Sequence, residues 1–188
     1  MTGSPAVFLD RDGTMIEDVG YLERLERLKL FPYTVNAVRL LNEAGFKVVV
    51  VTSQNGVAQG ILTEEFLAET QAHLGEVFKA AGARVEGFYY CPHSTTAPVE
   101  RYRIDCDCRK PKPGMILAAA ADHGLDVARS FVVGDRWRDI EMGLNAGTRA
   151  LLVETGYGRT EEARPKPHLR PSAIVDNVME AVSWILLA

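Results

Sequence analysis

The sequence has the length, composition and charge of an ordinary globular domain. It contains 188 residues, of which 47% are hydrophobic and 24% charged, and its formal net charge is −4. This composition argues against disordered and fibrous chains. A mildly acidic chain is not attracted to nucleic acid or to an anionic membrane surface, and the sequence has no run of eighteen apolar residues that could span a bilayer. We therefore expect a single domain over residues 1–188 that binds neither nucleic acid nor a membrane.

The first residues, Met1–Pro5, contain neither the basic nor the apolar segment of a secretory signal. The expected location is the cytoplasm, and the expected state is a monomer.

Short β-branched runs alternate along the chain with longer segments of helical periodicity. Strands are predicted at Ala6–Asp10, Val48–Thr52, Phe88–Cys91, Phe131–Gly134 and Ala150–Val153. Apolar spacing and end signals predict helices at Thr34–Ala44, Thr63–Ala81, Pro113–Asp122 and Trp137–Ala146. Because this alternation is typical of βαβ units, we predict an α/β fold with a parallel, doubly wound sheet between two layers of helices.

Three stretches lie outside this alternation. Residues 13–32 form a long insert after the first strand, which we interpret as a mobile flap over the site. Residues 91–109 form a long connection that contains all three cysteines. From residue 159 a polar, proline-rich tail leads to a final helix, predicted from about Ser172 because apolar residues recur at helical spacing at Ile174, Val178, Val182 and Ile185.

The first predicted strand ends in two carboxylates, Asp10 and Asp12. Acids two residues apart at a strand end can face one cavity, where one acts as nucleophile or metal ligand and the other transfers protons. The alternative is an Asp/Gly turn whose acids are solvated. Since ligands of doubly wound sheets bind beyond the carboxyl ends of the strands, we examined the other strand ends for partners.

Two further strand ends and one loop carry complementary groups. Thr52 is followed by Ser53, Gln54 and Asn55, whose hydroxyl and amide groups suit phosphate oxygens. The alternative is an ordinary polar loop that binds no phosphate. Asp135 and Asp139 lie at i and i+4 on one helix face, unless Asp135 is simply a helix cap. Lys110 precedes another helix. Acids, a hydroxyl and a lysine together indicate phosphoryl transfer with a divalent cation.

These residues resemble the four motifs of the haloacid-dehalogenase-like phosphatases over roughly residues 6–158. The matching positions are Asp10-x-Asp12-Gly13-Thr14, Thr52, Lys110 and Gly134-Asp135-x-x-x-Asp139. The resemblance implies the Rossmann-like fold of that family and an enzyme that hydrolyses phosphomonoesters. It leaves Asp139 with a supporting, structural role.

The resemblance also implies a role for each matching residue. Asp10 attacks phosphorus and forms an aspartyl-phosphate, and Asp12 protonates the leaving oxygen and then activates water. Thr52 and Lys110 hold the transferred phosphoryl group. Mg²⁺ is bound by Asp10, by the backbone carbonyl of Asp12 and by Asp135, an oxygen-rich set of the kind this ion prefers.

The three cysteines and one histidine are spaced as metal ligands. Cys91-x-His93 is separated by twelve residues from Cys106-x-Cys108. Three thiolates and an imidazole suit tetrahedral Zn²⁺, and because protein would fill all four positions the zinc would be structural. The alternative is free cysteines beside a surface histidine. The remaining histidines are expected at the surface: His73, His123 and His168.

The cysteine loop narrows the resemblance to two groups within the family, the heptose-1,7-bisphosphate 7-phosphatases and the histidinol-phosphate phosphatase domains. The twelve-residue spacing resembles the first group, which implies a small phosphorylated sugar as substrate, cleaved at its 7-phosphate. Histidinol phosphate or another sugar phosphate is the alternative. Two positions differ from the heptose pattern: Ser53-Gln54-Asn55 stands where Asn-Gln-Ser is usual, and Arg136 stands where lysine is common.

The same resemblance implies a set of substrate contacts. Arg109 would recognise a second phosphate or sugar hydroxyls. The other implied contacts are Asp18, Val19, Gly20, Tyr21, Ser53, Gln54, Asn55 and Arg136. A zinc-stabilised binding module without turnover is the rival interpretation, which the complete acid–hydroxyl–lysine–acid set argues against.

Overall fold

A computed structural model describes residues 3–188 of the chain. Its centre is a six-stranded sheet in the order β3-β2-β1-β4-β5-β6, and every neighbouring pair of strands is parallel. The strands are β1 Ala6–Leu9, β2 Lys47–Ser53, β3 Gly87–Cys91, β4 Phe131–Gly134, β5 Arg149–Val153 and β6 Ala173–Val175. The predicted α/β class with a doubly wound parallel sheet is confirmed.

Helices cover both faces of this sheet. They are α1 Thr34–Glu43, α2 Glu64–Ala80, α3 Gly114–His123, α4 Trp137–Ala146, α5 Gly158–Glu162 and α6 Val178–Leu187. Helices α1, α2 and α6 share one apolar cluster with the sheet, whereas α3 and α4 share the other. None of the helices in residues 3–188 has the length and apolar character that crossing a membrane requires.

The central strands are apolar throughout because both of their faces are covered. In β1, Val7 and Leu9 belong to the cluster with α1 and α6, and Ala6 and Phe8 belong to the cluster with α3 and α4. All four side chains are fully buried. This arrangement fixes the carboxyl end of β1, from which the chain continues into Asp10.

The C-terminal part differs from the sequence prediction. Helix α6 begins at Val178 rather than near Ser172, and Ala173–Val175 form the edge strand β6. The backbone N–H of Ser172 donates to the Ala150 carbonyl, which starts this pairing. Asn177 then caps α6 by accepting hydrogen bonds from two backbone N–H groups. Because the strand is only three residues long, a helical apolar spacing that included Ile174 concealed it.

The insert after β1 contains a single turn of 3₁₀ helix at Leu25–Arg27. Three of its side chains, Met15, Ile16 and Leu22, are buried in the main core. The hydroxyl of Thr34 also donates to the Met15 carbonyl at 2.8 Å. The start of the insert is therefore packed as part of the core, and the mobility predicted for it stays a prediction. The three remaining histidines lie exposed, as expected.

Candidate active site

The carboxyl ends of β1, β2 and β4 lie side by side and bring the predicted acids and Thr52 together. Asp10 follows β1, and its backbone N–H donates to the Val133 carbonyl of β4 at 2.9 Å. Asp135 follows β4, and Thr52 belongs to β2, the other neighbour of β1. The carboxylates of Asp10, Asp135 and Asp139 form one group, in which one oxygen from each lies within 4.8 Å of the others. Three acids so close together repel one another unless a cation compensates them.

Lys110 supplies one such cation inside the protein. Its ammonium group donates to Asp10 Oδ1 at 2.6 Å, to Asp139 Oδ1 at 2.7 Å and to the Val51 carbonyl at 2.9 Å. These three acceptors use all three N–H bonds of the ammonium group. The side chain of Lys110 is only 1% exposed, so these contacts are shielded from water. Lys110 therefore fixes one oxygen of Asp10 and neutralises part of the acidic group.

Burial shifts the titration of this group strongly. It raises the pKa of Asp10 to about 6, with Lys110 opposing the shift and Asp139 adding to it. It raises the pKa of Asp135 to about 8, and repulsion by Asp10 and Asp139 contributes to that rise. For Lys110, burial favours the neutral amine, but attraction to the two aspartates outweighs it and raises the pKa. The protein alone thus compensates these carboxylates incompletely.

Asp135 is held between two glycines with left-handed backbones. Gly13 has φ +88° and Gly156 has φ +57°, and a Cβ atom at either position would overlap the Asp135 carboxylate. Oδ2 of Asp135 accepts a hydrogen bond from the Tyr157 backbone N–H at 2.8 Å. Oδ1 is buried and has no hydrogen-bond partner in the protein. An unpartnered buried carboxylate oxygen is costly, and a cation is the group that would satisfy it.

Asp12 lies apart from the acidic group in a network of donors. Arg11 forms a fork with it, from Nε to Oδ2 at 3.0 Å and from the terminal nitrogen to Oδ1 at 2.9 Å. Gln54 donates to Oδ2 at 2.9 Å and Thr52 at 3.3 Å. These donors hold the Asp12 side chain in one orientation, close to Asp10 but outside the group of three acids.

Asp139 has a local structural function as well. Its Oδ2 accepts the backbone N–H of Arg136 at 3.0 Å, which closes a capping box at the start of α4. A Cβ atom at Gly134 would overlap the Asp139 side chain. One carboxylate therefore caps a helix and binds Lys110 at the same time, in line with the supporting role that the sequence implied.

A cavity of about 200 Å³ opens beside Asp10 and Asp12. Most of the predicted substrate contacts line it: Asp18, Gly20, Tyr21, Ser53, Gln54, Asn55 and Arg136, together with Thr52. Three residues that the sequence did not single out also line it: Gly56, Arg138 and Tyr157.

Two predicted contacts lie elsewhere. Val19 packs against the main core, and the guanidinium of Arg109 donates to the His93 carbonyl at 2.7 Å, outside the cavity lining.

The three cysteines and His93 meet in one cluster beside β3. Sγ of Cys106 lies 3.5 Å from Sγ of Cys91 and 3.1 Å from Sγ of Cys108, whose Sγ lies 3.4 Å from His93 Nδ1. Zinc–sulfur bonds of roughly 2.3 Å separate tetrahedral sulfur ligands by about 3.8 Å, so these sulfur atoms lie a few tenths of an ångström closer together than they would around a bound zinc ion. None of the three cysteines forms a disulfide. The donor set and its spacing therefore fit a tetrahedral metal ion.

The thiols of this cluster interact strongly. Burial raises the pKa of Cys91 and of Cys108. At Cys106 burial acts in the same direction, but hydrogen bonds with the other two thiols outweigh it and lower the pKa. A metal cation would stabilise all three as thiolates.

Comparisons with known proteins agree with this geometry. A family model described as HAD-hydrolase-like matches residues 107–181. The chain is 40% identical over 186 residues to the D-glycero-D-manno-heptose-1,7-bisphosphate 7-phosphatase of Thermosynechococcus vestitus, covering 96% of this chain and 95% of the relative. It is 40% identical over 161 residues to the D-glycero-beta-D-manno-heptose-1,7-bisphosphate 7-phosphatase of Escherichia coli K12, covering 85% and 84% of the two chains.

A solved structure is similar over nearly the whole fold. The D,D-heptose 1,7-bisphosphate phosphatase from B. bronchiseptica, complexed with magnesium and phosphate, superposes with a TM-score of 0.85 at 28% identity. The match covers 97% of this chain and 98% of that one. The two structures are therefore similar over nearly the whole of both chains.

Proposed function

The chain belongs to the haloacid-dehalogenase-like phosphatases, and from that premise we propose that it hydrolyses the 7-phosphate of D-glycero-β-D-manno-heptose 1,7-bisphosphate with the help of Mg²⁺. The observation that carries the proposal is the position of Asp10. Its carboxylate lies at the tip of the central strand, beside the cavity, with one oxygen fixed by Lys110. Relatives at 40% identity that are named for this substrate support the choice of sugar.

Asp10 would act as the nucleophile. Because Lys110 holds Oδ1, the other carboxylate oxygen is the one that attacks phosphorus, forming an O–P bond as the bond to the sugar oxygen breaks. The ammonium of Lys110 offsets the repulsion between two negatively charged reactants. The product of this step is an aspartyl-phosphate on Asp10 and a sugar whose leaving oxygen takes up a proton.

Asp12 would supply that proton and then act as base toward the hydrolytic water. One carboxyl group can do both, because the proton that it gives to the leaving oxygen is replaced by one taken from water. The hydrogen bonds from Arg11, Gln54 and Thr52 fix where its oxygens point. Thr52 also lines the cavity beside Asp10, and its single hydroxyl hydrogen would turn from Asp12 to a phosphoryl oxygen when substrate binds.

The residues present fit a magnesium site. We propose three oxygen ligands for the ion: the unpartnered Oδ1 of Asp135, the neighbouring carboxylate of Asp10 and the backbone carbonyl of Asp12. Magnesium, when bound there, supplies positive charge that offsets the phosphate and the carboxylates. The two glycines that enclose Asp135 hold its carboxylate ready for that ion.

We also propose a structural zinc ion bound by Cys91, His93, Cys106 and Cys108. The loop that carries the last two ligands continues directly into Arg109 and Lys110. Ordering of this loop would therefore fix the start of the segment that delivers Lys110 to Asp10.

Phosphate release from the heptose bisphosphate tests the proposal. We expect steady turnover with Mg²⁺ and none after chelation with EDTA. Histidinol phosphate is the comparison substrate, and a hundredfold preference in kcat/KM corresponds to about 2.7 kcal/mol of differential transition-state binding. Equal or better turnover of histidinol phosphate would reject the heptose assignment, and magnesium-independent turnover would reject the metal assignment.

A further inference from the structure

The cysteine cluster contains nucleophilic side chains that the proposed phosphatase chemistry does not use. All three cysteines of the sequence, Cys91, Cys106 and Cys108, meet there as free thiols. Cys91 is buried, whereas Cys106 and Cys108 are each partly exposed. Because oxidation of a thiol depends on access from solvent, Cys106 and Cys108 are open to an oxidant and Cys91 is shielded from it.

Cys108 also faces a cavity outside the candidate active site. This cavity has a volume of about 410 Å³, and Cys108 and His93 line it together with Tyr90 and Tyr102. Its lining shares no residue with the lining of the active-site cavity. A molecule as small as a peroxide can therefore reach the sulfur of Cys108 without passing through the active site.

The sulfur atoms of Cys106 and Cys108 are already close to bonding distance. They lie 3.1 Å apart, whereas Sγ of Cys106 is 3.5 Å from Sγ of Cys91. A disulfide bond is about 2.05 Å long, so the two sulfur atoms need to approach by only about 1 Å. The two cysteines flank Asp107 in a turn of the chain, and joining them therefore requires no movement of a distant segment.

We propose that Cys106 and Cys108 form a site of reversible oxidation, in which a peroxide converts their two thiols into a disulfide. The thiolate sulfur of Cys108 attacks one peroxide oxygen, the O–O bond breaks, and a sulfenic acid and one water molecule form. The sulfur of Cys106 then attacks the sulfur of Cys108, the S–O bond breaks, and a second water molecule leaves. The two thiols together lose two electrons and two protons, and the peroxide gains both.

The disulfide and the proposed zinc ion exclude each other. Zinc is bound by thiolates, and neither sulfur of a disulfide remains a thiolate. Conversely, a zinc ion bound to Cys106 and Cys108 would occupy the electron pairs with which their sulfur atoms attack an oxidant. The zinc-free protein is therefore the form that is oxidised.

Oxidation would act on catalysis through the segment that carries Lys110. The carbonyl of Asp107, between the two cysteines, accepts the backbone N–H of Gly114 at 2.9 Å. Lys112 donates to Asp105 Oδ1 at 2.7 Å. Closing the disulfide moves this turn, and a shift of about 1 Å at a catalytic group costs roughly 10²-fold in rate. This link to activity rests on the proposed phosphatase function, whereas the disulfide itself does not.

Treatment of the zinc-free protein with hydrogen peroxide tests the pair. The intact mass should fall by two hydrogen atoms, and one of the three thiols should stay free. Unfolding the protein and cutting it on the amino side of Asp107 places Cys106 and Cys108 on different peptides. These peptides should stay joined until dithiothreitol is added. Three free thiols after treatment, or a disulfide that contains Cys91, would overturn the proposal.

Three single variants compare the cysteines, each measured against its own reduced form. Cys91→Ser keeps the proposed pair, so peroxide should form the disulfide and lower kcat about tenfold or more, as in the unmodified protein. Dithiothreitol should restore the activity, which excludes methionine oxidation because thiols do not reverse it. Cys106→Ser and Cys108→Ser should keep their activity under the same treatment. Equal losses in all three variants would overturn the assigned pair.

Zinc separates the remaining outcomes. Zinc added before peroxide should slow disulfide formation at least about tenfold, and equal rates with and without it would overturn the mutual exclusion. If the disulfide forms and phosphate release is unchanged, the link to Lys110 is wrong while the oxidation site holds. If the reduced protein releases no phosphate with Mg²⁺, the proposed phosphatase function fails, and the joined peptides still decide the disulfide.

Discussion

The acidic group at the strand ends and the cysteine cluster are both candidate metal sites, but they are built in different ways. Asp10 and Asp135 follow the central strands β1 and β4, all of whose residues are buried. The cysteines, apart from Cys91 at the end of β3, lie in a loop that contains only one turn of 3₁₀ helix, at Glu100–Tyr102. The fold therefore holds the acids in place against their mutual repulsion, whereas the loop depends on its own ligands for order. Loss of metal should impair chemistry at the first site and stability at the second.

The largest effect is expected from Asp10→Asn. This change keeps the size of the side chain but removes the nucleophilic oxygen, so kcat should fall at least about 10³-fold with little change in the melting temperature. Phosphate release under saturating substrate measures it. Asp122→Asn, an exposed acid on α3 that hydrogen-bonds Tyr89, is the control. Retention of most activity by the Asp10 variant would remove covalent catalysis from the mechanism.

A smaller loss of activity is expected from Gly13→Ala. A methyl group there overlaps the Asp135 carboxylate, and a displacement of about 1 Å in such a site costs roughly 10²-fold in rate. Gly45→Ala is a matched control, because Gly45 has φ +87° against +88° for Gly13 and nothing within 4 Å of an added Cβ. Both variants should lose about 1–2 kcal/mol of stability from backbone strain. Equal kcat/KM values for the two variants would show that the enclosure of Asp135 is not needed.

Cys106→Ser should act on stability before chemistry. Removing one thiolate should abolish binding of about one zinc ion per chain, and a loss of roughly 2 kcal/mol would lower the melting temperature by about 4–8 °C. Metal analysis and thermal unfolding measure the two effects. Thr95→Ala, an exposed position in the same loop, should change neither. If the unmodified protein is purified without zinc and unfolds at the same temperature as the Cys106 variant, the structural zinc ion is contradicted.

A change in stability without any substitution is expected from pH on the metal-free protein. Because Asp135 has a pKa of about 8 when folded and 3.8 as its ordinary value, the folded state binds its proton more tightly than the unfolded state. The resulting stabilisation is complete below pH 4 and is lost as pH rises through 8. Urea midpoints measured in EDTA should therefore fall between pH 5.5 and 8.5. Asp135→Asn should flatten this dependence, and an unchanged slope in that variant would contradict it.

Much of the acidic site could be predicted because it depends on topology alone. Asp10, Thr52 and Asp135 occur at the ends of apolar runs, and parallel strands place such ends at one edge of the sheet. The spacing of the four zinc-type ligands was likewise visible in the sequence. Helix α4 was predicted with the bounds that the structure shows, since its C-terminal glycine is a local signal, but its N-cap is Arg136 and not Asp135, which the sequence offered as a cap.

The rest depends on contacts between distant parts of the chain. Tyr157 lies in the loop after β5 and lines the cavity. The residues next to it in the sequence do not indicate that its ring stacks on Arg136. The sequence does not distinguish Arg138 from the other polar residues of α4. The structure does, because its Nε is buried and has no hydrogen-bond partner in the protein. Arg109 was expected to contact substrate by resemblance; it donates a hydrogen bond to the His93 carbonyl of the cysteine loop, and its contact with substrate stays a prediction.

The enclosure of Lys110 has a consequence for chemical labelling. Reagents that acylate or methylate amines need a neutral, accessible nitrogen, and the Lys110 amine is charged, buried and hydrogen-bonded on all sides. The amines of exposed lysines such as Lys79 and Lys29 are accessible to these reagents. Brief treatment of the native protein with such a reagent should therefore modify the surface lysines and leave Lys110 unmodified. Lys110 should react only when the fold around it opens.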